Sequence, residues 1–187
     1  MYFKKILLGS FLLSGVLSAQ NAVSLNINNE DAELQASLNF NDMIGYADGT
    51  SYTLDANYLH SDGDNLFGIG LSGENQLQGI YGLRVGLGIK AVFADEFAAV
   101  PFLAKAAYTL PLTDAIPTTT LEMSFAYAPE ILSFNEAEDY TEFRTQLGME
   151  VVPNIQLYTG YRNIDTDYKA VDHTFNESFY LGMKLSF

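Results

Sequence analysis

The chain ends on Ser178-Phe179-Tyr180-Leu181-Gly182-Met183-Lys184-Leu185-Ser186-Phe187, and this run decides the fold. Phe179, Leu181, Met183, Leu185 and Phe187 fall on one face of an extended chain. Ser178, Tyr180, Gly182, Lys184 and Ser186 fall on the other. Alternation at period two is the mark of a strand with two unlike faces. The segment before it repeats the pattern, with Ile155, Leu157, Thr159 and Tyr161 against Gln156, Tyr158, Gly160 and Arg162. One segment earlier, Phe143, Leu147, Met149 and Val151 oppose Glu142, Arg144, Gln146, Gly148 and Glu150.

Working back to the N-terminus, alternating segments recur at 22–29, 32–40, 50–60, 65–74, 79–92, 100–110, 118–128, 140–151, 154–164 and 177–187. Each is close to the roughly 9–11 residues a tilted strand needs to cross a bilayer. In 79–92, Tyr81, Leu83, Val85, Leu87 and Ile89 oppose Gly82, Arg84, Gly86, Gly88 and Lys90. The connections alternate too. Pro111–Asp114 and Val152–Asn154 read as tight turns. Ala94–Ala98, Ala128–Asp139 and Asp165–Asn176 read as longer, acidic loops. Short turns on one side and long loops on the other are the outer-membrane barrel pattern. The expectation is an all-β, antiparallel up-and-down transmembrane β-barrel of about ten strands, with eight as the alternative count. An even count returns both termini to the short-turn, periplasmic side.

The N-terminus carries Lys4 and Lys5, an apolar run Ile6–Leu17, then small Ser18 and Ala19. That order predicts a signal peptide over 1–19, with the barrel over 20–187. The sequence has 23 acidic and 9 basic residues, a formal net charge of −14. Such a charge disfavours nucleic acid as a partner, because phosphate binding needs Lys and Arg. There is no cysteine, which removes disulfides, lipid-modified Cys and thiolate metal sites.

A soluble β-sandwich also alternates, but it sends its charges outward. Here Arg84, Lys90, Lys105, Arg144, Arg162 and Lys184 lie in strands, opposite the apolar face. Glu33, Asp55, Glu74, Glu122, Glu142 and Glu150 share that face. The two signs balance, as a closed lumen requires of charges removed from bulk water. These twelve are the candidate lumen-lining residues. Most remaining acids fall in turns and loops away from the termini. Tyr52, Tyr58, Tyr81, Tyr108, Phe125, Tyr127, Phe143 and Tyr161 lie on the apolar face, mostly near segment ends. Aromatics there suit the headgroup level.

Three motifs carry a resemblance. They are Tyr127-Ala128-Pro129-Glu130-Ile131-Leu132-Ser133-Phe134, then Asp139-Tyr140-Thr141-Glu142-Phe143-Arg144, then Gly160-Tyr161-Arg162-Asn163-Ile164. With the closing strand, they resemble the YfaZ family of predicted outer-membrane proteins. The resemblance implies a barrel in the outer membrane of a Gram-negative bacterium and no defined activity. The terminal Phe187 also resembles the signal read by the barrel-assembly machinery.

For function, inward Glu142, Arg144, Glu150, Arg162 and Lys184 predict either a selectivity lining or a plug of salt bridges. Gly82, Gly86 and Gly88 offer to clear a narrow passage. His60 and His173, the only histidines, sit near the long-loop rim beside Ser61-Asp62 and Asp172. They make a membrane enzyme acting on lipid or peptide the alternative, although neighbouring strand residues point to opposite faces. Asp62-Gly63-Asp64-Asn65 looks like part of a calcium loop but lacks the later bidentate Glu. Rim carboxylates could share divalent cations with lipopolysaccharide phosphates. Loops around Phe134 and Phe175 offer a third reading, a surface-binding barrel. The leading expectation is a small structural or narrow channel-like barrel with a polar, salt-bridged lumen. No cofactor, metal or catalysis is expected. Partners are outer-membrane lipid, lipopolysaccharide and the assembly machinery.

Overall fold

Period-two alternation becomes strand almost wherever it occurs. The computed structural model describes residues 21–44, 49–113, 116–135, 137–168 and 171–187. The predicted signal at 1–19, Asp114 in the turn at Pro111 and Lys169 lie outside them. The strands are β1 (Ala22–Ile27), β2 (Asp31–Asn39), β3 (Ser51–Ser61), β4 (Asp64–Gln76), β5 (Leu83–Ala94) and β6 (Phe97–Ala99). They continue as β7 (Phe102–Thr109), β8 (Thr119–Ala128), β9 (Ser133–Asn135), β10 (Tyr140–Val152), β11 (Ile155–Tyr168) and β12 (Val171–Ser186). A helical turn, Asn41–Ile44, follows β2, and a 3-10 turn, Glu130–Leu132, precedes β9.

Ten long strands form the wall, with β6 and β9 as two short additions. Every neighbouring pair is antiparallel. β4 pairs with β5, and β1 pairs with β12, so the sheet has no open end. Asn21 and Phe187 exchange backbone hydrogen bonds of 3.2 and 2.8 Å, which seals the terminal seam. Closure satisfies the backbone groups of the wall within the sheet, the condition for crossing lipid with strands.

The wall is inside-out relative to a soluble barrel. Phe179 on β12 and Leu87 on β5 are each 75% exposed, and Leu181 and Met183 are exposed along β12. The outward side chains of β1, β4, β5 and β12 are aliphatic at mid-height: Leu25, Ile69, Leu71, Leu87, Leu181 and Met183. Aromatics gather at two levels. Tyr58, Phe67, Phe93, Phe125, Tyr127 and Phe179 lie towards the end away from the termini. Phe40, packed on Tyr52 at 6.2 Å, lies at the terminus end. Aliphatic belt and aromatic girdles together form the lipid-facing surface of an outer-membrane barrel.

Four expectations need correction. Tyr81 lies in the turn between β4 and β5 and is 87% exposed; β5 begins only at Leu83. Gly82 ends that turn with φ +81°, and a Cβ there would meet the Thr109 carbonyl oxygen at 2.7 Å. Gly82 and Gly88 do not widen the lumen; at Gly88 a Cβ would run into the β4 backbone at Leu71. Of the expected loop Asp165–Asn176, residues 165–168 and 171–176 are strand, because β11 and β12 pair as far as Tyr168 and Val171, with a register shift after Ile164. The alternation of short and long connections is also incomplete. Asp62-Gly63 joins β3 to β4 in two residues on the side away from the termini, while residues 40–50 make a long link on the terminus side. Asp62 and Gly63 both have positive φ, the requirement of the primed hairpin turn. The sequence that suggested a calcium loop is therefore a hairpin tip.

Candidate functional site

Because side chains alternate, the face opposite the lipid belt converges inside the barrel. Three layers follow one another along its axis.

The middle layer is an ionic network that crosses the lumen. Glu33 on β2 accepts hydrogen bonds from Arg144 on β10 (2.8 Å) and Arg162 on β11 (2.7 Å). Asn26 (2.9 Å) and Asn57 (3.0 Å) donate to the same carboxylate. In the ring of strands β2 lies far from β10 and β11, so these bonds span the interior. Lys90 on β5 reaches Glu142 on β10 at 2.6 Å. Tyr140 donates to Glu142 at 2.8 Å, and Arg144 pairs with it through Nε. Arg162 also donates to Asp31 (3.2 Å) and Asn176 (2.8 Å), and its guanidinium lies 5.6 Å from the Tyr180 ring centre. Arg162 and Glu33 are each 1% exposed. Charges this deep persist only when paired and hydrogen-bonded, as these are. The network also closes the wall where backbone pairing stops. β1 pairs with β12 only as far as Ile27 and Leu181. Beyond that level Asn176 spans the seam, donating to Asp31 and Ser61 at 2.9 Å each.

The layer away from the termini is apolar. Leu59, Leu66, Val92, Phe97, Tyr140 and Ile164 are buried together. Phe97 packs on Tyr140 at 5.8 Å and edge-on to Phe175 at 6.1 Å. Strand β6 supplies Phe97 and pairs with both β5 and β9. Pro101, which has no N–H to give the ladder, marks the break between β6 and β7. Phe134 and Phe175 belong to this end: Phe134 is exposed on β9, and Phe175 packs against the apolar layer.

The terminus-side layer is a cavity of about 530 Å³. Asp55, Glu74, Arg84, Lys105, Glu122 and Lys184 are among its lining residues. Lys105 is held by Asp55 (2.5 Å) and Ser72 (3.0 Å), with Glu74 at 3.8 Å. Lys184 stands 3.9 Å from Glu122, whose other oxygen accepts from Gln146 at 2.8 Å.

Ten of the twelve charges expected inside thus enter ion pairs. Two do not among the described residues. Arg84 lines the cavity near its rim, and Glu150 is exposed, accepting from the Asn154 amide at 3.1 Å. Sequence reasoning misses Asp31, which falls between the segments 22–29 and 32–40 but opens β2 and is buried. It also misses the apolar layer, although parity contains the signal. Val92 follows Lys90 by two residues, Ile164 follows Arg162, and Leu59 follows Asn57, each on the same inward face. His60 is exposed, with Nδ1 3.0 Å from Asn65 Oδ1 rather than from a carboxylate. The His173 side chain lies outside the described ones. No cluster of three or more His, Asp or Glu able to hold a metal ion occurs among the described residues.

Comparison with solved structures gives low-identity likenesses. A KdgM porin in complex with disordered oligogalacturonate is 12% identical, with TM-score 0.48, covering 90% of this chain and 99% of that one. A NanC porin is 11% identical, with TM-score 0.46, covering 91% and 99%. Curated protein sequences give no match. The closed wall, lipid-facing belt and charged interior make this an outer-membrane β-barrel. The family model described as YfaZ precursor matches residues 3–187, and the chain belongs to the YfaZ family.

Proposed function

We propose that this protein is a small structural barrel of the outer membrane whose lumen is closed, with no catalytic role and no cofactor. The observation that carries this reading is Glu33, gripped from across the interior by Arg144 and Arg162. An open selectivity lining keeps its charges hydrated and separate; here they are bonded to one another and stacked against an apolar layer. In this reading ten of the predicted lumen residues form the plug and the cavity beneath it, Arg84 guards the cavity rim, and Glu150 serves the turn at Asn154. The enzyme alternative has less support, since His60 meets an amide instead of a general-base partner.

The proposed partners are outer-membrane lipid around the belt, lipopolysaccharide phosphates bridged by divalent cations to the acidic tips, and the assembly machinery reading Phe187. Nucleic acid is not among them. Liposome swelling tests the closed lumen. Proteoliposomes holding the wild-type barrel are expected to admit a small pentose no faster than empty liposomes. A Phe97→Ala, Arg144→Ala double variant, checked for folding by heat-modified gel mobility, is expected to admit it. Rapid swelling with the wild type refutes the proposal.

A further inference from the structure

The cavity on the terminus side holds charged groups that the plug does not use. In the plug every carboxylate is saturated: Glu142 takes Lys90, Tyr140 and Arg144, and Glu33 takes four donors. Nearer the rim two pairs are loose, although Lys105 also bonds Asp55 at 2.5 Å. Lys184 to Glu122 is 3.9 Å and Lys105 to Glu74 is 3.8 Å, both beyond hydrogen-bond reach. Arg84 enters no ion pair among the described residues, so its guanidinium keeps donors for a guest.

We propose that this cavity binds a small zwitterion, of the size of an amino acid or dipeptide, with its carboxylate on Arg84 and Lys184 and its ammonium on Glu74 and Glu122. A simple anion entering the cavity meets Glu74 and Glu122, and a simple cation meets Arg84 and Lys184. A guest with both charges answers both sets. The volume of about 530 Å³ lies within the roughly 300–1,000 Å³ of small-ligand pockets. Asn39, Ser51 and Ser186 line the cavity at the terminus ends of β2, β3 and β12, which is where the guest enters. Only this direction of entry rests on the closed lumen proposed above; the binding itself does not.

Calorimetric titration of the refolded barrel in detergent tests the inference, with glycylglycine, succinate and 1,4-diaminobutane as probes. Glycylglycine is expected to bind saturably, and the other two at least about tenfold more weakly. Arg84→Gln and Glu122→Gln are each expected to weaken glycylglycine about tenfold, the loss of one charge-assisted hydrogen bond. The lipid-facing variant Leu87→Ala is expected to bind as the wild type does. The inference fails if glycylglycine does not bind, if either singly signed probe binds as tightly, or if the two cavity variants bind undiminished. A conducting wild-type barrel refutes the closed lumen and leaves these binding results as they stand, so the two failures are distinct.

Discussion

Arg162 donates at once to Glu33, Asp31, Asn176 and Ser178 while it faces the Tyr180 ring. Removing it leaves Asp31 without its ion-pair partner and Glu33 with one guanidinium instead of two. Arg162→Ala is therefore expected to lower unfolding stability by about 3–5 kcal/mol, measured by urea unfolding in lipid vesicles. Its inward position was legible from parity with Tyr158 and Gly160. Its partner Asp31 was not, because it follows Asn28-Asn29-Glu30, which reads as a turn, and only the pairing of Asp31 with Ser61 puts it in the wall. The inward glycines have a similar lesson. Tyr180 lies over Gly160 and Tyr158 over Gly182, each ring filling the place of a Cβ. The rings meet edge to face, with centres 6.3 Å apart. Gly160→Val displaces Tyr180 and is expected to cost about 1–3 kcal/mol in the same assay. Sequence shows the missing side chain; it does not show which ring uses the space.

At the scale of elements, β12 carries both environments on one strand. Leu181 lies in the lipid belt and Lys184 inside. Leu181→Arg puts a charge at mid-height of the belt and is expected to destabilise the folded barrel by about 2–4 kcal/mol. Lys184→Ala, which breaks only a loose pair, is expected to cost well under half as much. Folding titrations into lipid vesicles compare the two. Strands within the membrane were legible because lipid and lumen impose opposite demands on alternate residues. Above the membrane that demand ends. The extensions of β11 and β12 carry Asp165, Asp167 and Asp172, and so read as loop. β6 and β9 have three residues each, too short for any period to register.

The molecule as a whole is a stack of three interiors in one wall: an apolar layer, an ionic network and a cavity towards the termini. Strand number and inverted faces could be read from the sequence, since each strand states its own pattern. The stacking could not, because it depends on which strands face one another across the barrel. Nothing in the chain order announces that Glu33 meets Arg144, more than a hundred residues away. The closed lumen is the central claim, and single-channel recording in a planar bilayer tests it most directly. With wild-type barrel inserted and its presence verified in the membrane, the account predicts a baseline without discrete current steps at moderate voltage. Steady, uniform single-channel steps from the wild-type protein would contradict it.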